Sequence, residues 1–206
     1  MALNTWWLYV TVVFLIAGTP GPNMLHVMVQ SIQHGPRRAM ASMAGLMSAV
    51  LLCLLASAAG LGALLKASPL LYTAIRYVGV AYLVWIGIKA WRAPVGAAGE
   101  GEATPQRSLR ALYLTGLGTG LSNPKLIIFA AALFPQFLDL HRPFASQLAV
   151  LVVSFVAIEG GWYSVYALGG RSLAAWLAPA NRRRLFNRVS GVIFIGFGAV
   201  LLGSRV

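Results

Sequence analysis

Two short runs in this 206-residue chain interrupt apolar helical sequence and leave unpaired backbone behind: Thr19-Pro20-Gly21-Pro22-Asn23 and Ser122-Asn123-Pro124-Lys125. Pro20 and Pro22 remove two backbone donors and Gly21 removes side-chain restraint, so a continuous helix is costly there. In the second run Asn123 can cap a helix that has Pro124 at its first position. Each break exposes the N-terminus of a half-helix, where free N–H groups and the helix dipole attract an anion. The carboxylate of an amino acid is the obvious small ligand. Pro20, Gly21, Pro22, Asn23, Ser122, Asn123, Pro124 and Lys125 are therefore expected to bind substrate. A proline kink that only shapes packing is the bland alternative; two breaks in matched positions favour the site.

Glu159 is the one carboxylate deep in an apolar run. A buried charge is expensive there, so such a group usually faces a polar interior and serves transport. It is the candidate proton-coupling residue. Trp162, Tyr163 and Tyr166 share its face by helical spacing and are expected to wall the site. Lys125 can hold a carboxylate, neutralise Glu159 as a structural pair, or snorkel to an interface. Asn23, His26 and Gln30 form a polar stripe after the first break; a lone histidine such as His26 is more often structural than a proton relay. Cys53 reads as a small buried residue, and Asp139 as solvated. No metal or cofactor site is expected. The three histidines lack paired ligand spacing, and neither H-E-x-x-H nor G-x-S-x-G occurs, which removes the common enzyme constellations. A pore would show rings of charge or carbonyl-lined repeats. An exporter of cations or metals with related architecture is the serious alternative, but it would want several intramembrane carboxylates or thiolates.

The elements that must carry these residues follow from composition. The chain is 59% hydrophobic and 10% charged, against roughly 25% charged in an ordinary soluble domain. It cannot cover a globule with polar surface. The net charge of +12 does not signal nucleic acid, because the basic residues sit between apolar runs and not along one face. An all-α integral membrane protein remains. Six apolar runs are long enough to cross a hydrocarbon core of roughly 30 Å: residues 6–33, 39–65, 69–91, 111–138, 144–169 and 186–203, the first and fourth broken as described. The start of the chain lacks the basic residues and short apolar core of a cleaved signal, so the first span is read as retained. A Gly/Ala/Pro-rich linker, residues 92–110, divides two units of three spans, 1–91 and 111–206.

Eleven of the 16 Lys and Arg flank the loops after spans one, three and five, and three lie on the opposite side. Basic loops stay cytoplasmic, so the linker is expected inside and both termini in the periplasm. The charge then serves topology and contact with anionic membrane lipid. Arg76-Tyr77-Val78-Gly79 aligns with Arg188-Val189-Ser190-Gly191, and Pro22 with Pro124. A repeated unit of three spans enters the membrane from the other side the second time, giving two inverted repeats. Arg188 begins span six, which puts Arg76 at the outer interface. Gly116 and Gly120 permit close helix contact, within one chain or between two copies of a homodimer.

Thr19-Pro20-Gly21-Pro22-Asn23, His34-Gly35-Pro36-Arg37-Arg38, Gly45, Gly79-Val80-Ala81-Tyr82-Leu83, Trp85-Ile86-Gly87, Ser122-Asn123-Pro124-Lys125 and Phe134-Pro135-Gln136-Phe137 occur in one order. Together they resemble the lysine-exporter/homoserine–threonine-resistance (LysE/RhtB) amino-acid exporters over nearly the whole chain. The resemblance implies a bacterial inner-membrane exporter of amino acids or close derivatives, run by proton exchange. In that family a carboxylate often occupies the place of Glu159. The texture of Ala41-Ser42-Met43-Ala44-Gly45-Leu46 and of Ala132-Leu133-Phe134-Pro135-Gln136-Phe137 is most similar to the homoserine and homoserine-lactone branch. Members of that branch often carry Gly and His where this chain has Ala49 and Cys53, which puts specificity in question if those positions touch substrate. Homoserine, threonine, leucine, lysine or a lactone would offer similar handles. A neutral substrate fits one acid and one base better than a basic one does.

Overall fold

The computed structural model describes residues 1–67, 69–92, 107–139, 142–177 and 179–203, with the backbone alone described at a number of positions in the helices around 61–90 and 171–203. Every regular element among them is helical: α1 (Leu3–Gly18), α2 (Pro22–His34), α3 (Pro36–Ala67), α4 (Pro69–Arg92), α5 (Leu109–Leu121), α6 (Pro124–Ile128), α7 (Phe144–Leu177) and α8 (Ala180–Gly203). Between α6 and α7 the chain widens into a π turn, Phe129–Leu133, then tightens into a 3₁₀ turn, Phe134–Phe137.

The segments Pro36–Gly60 and Phe144–Gly170 are each long and apolar enough to cross a membrane. Two helix pairs are apolar enough together but bent. α1 and α2 meet at 51°, and α5 meets the segment Pro124–Phe137 at 53°. The bends fall where the proline runs require them, and they are nearly equal. Most of the linker read at 92–110, including 93–106, lies outside the described residues, as do the side chains of Arg76 and Arg171.

α3 packs chiefly on α5, α4 on α8, and α2 on α7. Each of these pairs joins a helix from before the linker to one from after it, so the two sequence units interlock. Small residues allow the closest seam. A Cβ on Gly116 would collide with the Ser42 carbonyl, and one on Gly45 with the Tyr113 carbonyl. One on Gly120 would come within 2.5 Å of the Ala49 methyl. Gly116 and Gly120 thus serve contact within the chain. Ala49 is spent on this seam, and Cys53 packs at the edge of the apolar core, so neither position lines the cavity described below. Gly35 ends α2 with φ 81°, a conformation in which an L side chain is strained. Pro36 then opens α3 directly.

Candidate functional site

The two breaks meet in the interior. At the first, α1 ends at Gly18 and Thr19 leaves in an extended conformation, its Oγ1 donating to the Ile16 carbonyl at 2.6 Å. The terminal carbonyls of a helix have no intrahelical partners. Here a lysine from the other break supplies them. Lys125 Nζ donates to the carbonyls of Ile16 (2.9 Å) and Thr19 (3.2 Å), and lies 3.5 Å from Thr19 Oγ1. A cation at a helix C-terminus also meets the negative end of the dipole. Gly21 leaves room for it: a Cβ there would stand 3.3 Å from Lys125 Nζ.

At the second break Asn123 caps α6 as its position before Pro124 predicts, Oδ1 accepting from the Lys125 amide at 3.0 Å. Its side-chain amide donates to Asn23 Oδ1 at 2.8 Å, and the Asn23 amide donates to the Tyr163 hydroxyl at 3.1 Å. Asn123 is 1% exposed and Asn23 3%, so this bridge between residues 100 apart is shielded from competing solvent. Glu159 borders the same cavity as Asn23 and is 5% exposed.

A cavity of about 20 Å³ opens between the breaks, lined by the side chains of Asn23, Asn123, Lys125 and Glu159 and by Val13, Ile16, Ala17, Leu126, Phe129 and Phe155. That is room for one water molecule and too small for an amino acid. Glu159 and Lys125 share the cavity as one acid and one base. The direct ion pair among the described residues is a different one, Arg142 with Asp139 at 3.2 Å.

Asn23, Asn123, Lys125, Glu159 and Tyr163 are brought together. Pro22, Ser122 and Pro124 are exposed and shape the breaks from outside. Trp162 and Tyr166 stand outside the cavity lining and hold the end of α1: Trp162 Nε1 donates to the Phe14 carbonyl and the Tyr166 hydroxyl to the Gly18 carbonyl, both at 3.0 Å. Thr19 and the apolar wall of Phe129 and Phe155 are site residues that sequence reasoning passed over. Thr19 stood in the motif itself; nothing local marked the two phenylalanines, which reach the cavity by tertiary packing. His26 is held by Ser42 Oγ at 2.7 Å and meets Thr119 Oγ1 at 3.4 Å, and it is not among the residues that line the cavity.

Paired bent helices whose breaks converge on buried polar groups, beside two helices long and apolar enough to cross a membrane, fit a membrane protein. Residues 14–205 match the LysE type translocator family, and the chain belongs to that family, whose members are translocators and not enzymes. It is 33% identical over 205 residues to a homoserine/homoserine lactone efflux protein of Salmonella typhimurium, covering 100% of this chain and 99% of the relative. It is 30% identical to a leucine efflux protein of an Enterobacter species, covering 95% of this chain and 93% of the relative. An uncharacterized membrane protein of Vibrio cholerae is 30% identical over 207 residues, with both chains fully covered. No solved structure matches the chain.

Proposed function

We propose that this chain exports a small neutral amino acid or a close derivative, of the homoserine, homoserine-lactone or threonine kind, from the cytoplasm of a bacterial cell in exchange for protons. The observation that carries the reading is the shared cavity: both helix breaks, one acid and one base meet at a single buried point. The efflux names of the relatives supply the direction and the class of cargo. Six spans in two inverted units, 1–91 and 111–206, with the linker cytoplasmic and both termini periplasmic, is the matching architecture. The nearly equal bends of the two broken pairs support it.

The residues divide the work. The substrate ammonium is drawn to Glu159, and its carboxylate, or the lactone carbonyl of a derivative, to Lys125 and the amide groups of Asn23 and Asn123. Lys125 must release the α1 carbonyls to reach it, so binding loosens the end of α1. That movement enlarges a cavity too small to admit the substrate as it stands. Glu159 is the group that changes protonation between the two access states.

Inside-out vesicles test the reading. They should accumulate labelled homoserine or threonine when a pH gradient is imposed, and lose the effect when it is collapsed. Accumulation of a divalent metal instead of any amino acid would overturn the assignment.

A further inference from the structure

α2 buries more polarity than the site uses. Its inward face carries Asn23, Gln30, Ser31 and His34, with part-buried His26 beside them, while Leu25 and Val29 are exposed on the opposite side. Ser31 is accounted for by the Ala167 carbonyl of α7 (2.5 Å), and His26 by Ser42. Gln30 and His34 are not. Gln30 is 6% exposed and His34 9%, yet among the described residues no group bonds the Gln30 amide oxygen or either ring nitrogen of His34. Buried polar atoms are nearly always paired, and at membrane depth the cost of leaving them unpaired is higher still.

Their placement gives direction. Positions 23, 26, 30 and 34 recur at helical spacing on one face. From Asn23 at the cavity to His34 the stripe runs about 16 Å at 1.5 Å per residue, half of a hydrocarbon core. It ends beside Arg38, whose Nη2 donates to the Arg107 carbonyl and whose Nε is unbonded. An apolar cluster that includes Tyr9, Val12, Val13, Phe129, Phe134, Phe137 and Phe155 borders the cavity through Val13, Phe129 and Phe155. A second apolar cluster, with Met24 and Val27 of α2 packed among Leu46, Tyr163 and Tyr166, flanks the stripe; the unbonded atoms of Gln30 and His34 belong to the stripe, and that of Arg38 lies at its end.

We propose that the α2 stripe Asn23, His26, Gln30 and His34 lines the half of the transport path that opens toward the basic loops, with Arg38 at its mouth. In the open state Gln30 and His34 bond water and the polar ends of the passing zwitterion, and Arg38 draws its carboxylate in. This inference rests on the transporter reading for its cargo, but its geometry can be tested without it.

Cysteine is placed singly at positions 30, 34 and 31 in a Cys53→Ala background, with Ala98→Cys marking the linker side. Right-side-out and inside-out vesicles are treated with a membrane-impermeant methanethiosulfonate. Positions 30 and 34 should react from whichever face labels position 98, and position 31, turned to α7, should stay unlabelled. Reaction from the opposite face alone overturns the proposal. So does absence of reaction at both positions in monodisperse protein that labels fully once denatured. Should Gln30→Cys or His34→Cys misfold, the other position and His26→Cys decide. A chain that labels as expected but moves no amino acid keeps the path and loses the cargo; one that exports without labelling keeps the cargo and loses the path.

Discussion

Glu159 and Lys125 share a cavity, but Lys125 is tied to the carbonyls at the end of α1, and that separates their mutants. Glu159→Gln keeps the shape of the side chain while removing the titration. It should fold, bind and exchange substrate, and fail to accumulate it when a pH gradient is imposed on inside-out vesicles. Lys125→Met removes one donor from the Ile16 carbonyl, which keeps Thr19 Oγ1, and the lysine donor from the Thr19 carbonyl; it should cost about 1–3 kcal/mol, read as a lower unfolding temperature in detergent. Because those bonds do not involve Glu159, the double variant Lys125→Met with Glu159→Gln should be no more stable than Lys125→Met alone. Recovery of stability and transport in the double variant would instead make the two a structural ion pair. The Asn123 cap was legible because a capping residue and its proline are neighbours. The anchoring of Lys125 was not: its acceptors are backbone atoms 106 and 109 residues earlier, and main-chain carbonyls carry no sequence signature.

Among the elements, the breaks were the easiest to foresee, since Pro and Gly act locally on the backbone that contains them. Replacing Pro20, Gly21 and Pro22 together with Ala should let α1 run into α2 and swing Asn23 away from Asn123. Insertion should survive and export should fail, measured as efflux from preloaded cells; normal efflux would reduce the break to a packing feature. The α3–α5 seam makes a sharper contrast. Gly116→Ala sets a methyl group against the Ser42 backbone carbonyl and should destabilise by roughly 1–3 kcal/mol. Gly118→Ala meets nothing within 4 Å and should be neutral or slightly stabilising in the same thermal melt, since Ala is the better helix former. Sequence left open whether Gly116 and Gly120 join helices or subunits. Composition permits both, and only the partner helix, set by the whole chain's packing, decides.

For the molecule as a whole, membrane class followed from composition and the long spans from apolar run length. The interlocking of the halves did not, because which helix pairs with which depends on complementary surfaces distant in sequence. The charge bias between loops predicts the remaining global property. In a Cys53→Ala background, Ser204→Cys should react with an impermeant reagent added to intact cells and Ala98→Cys should react only after permeabilisation; early labelling at 98 would invert the orientation. The 2.8 Å bond between Asn23 and Asn123 has a consequence for descent. One side chain belongs to each half of the chain, and each is the other's buried partner. A drift at either codon leaves an orphaned amide in the partner half, so the two halves of this gene are not free to diverge independently. Among relatives the two positions should be kept or exchanged as a pair, which a comparison of their sequences at these two positions would check.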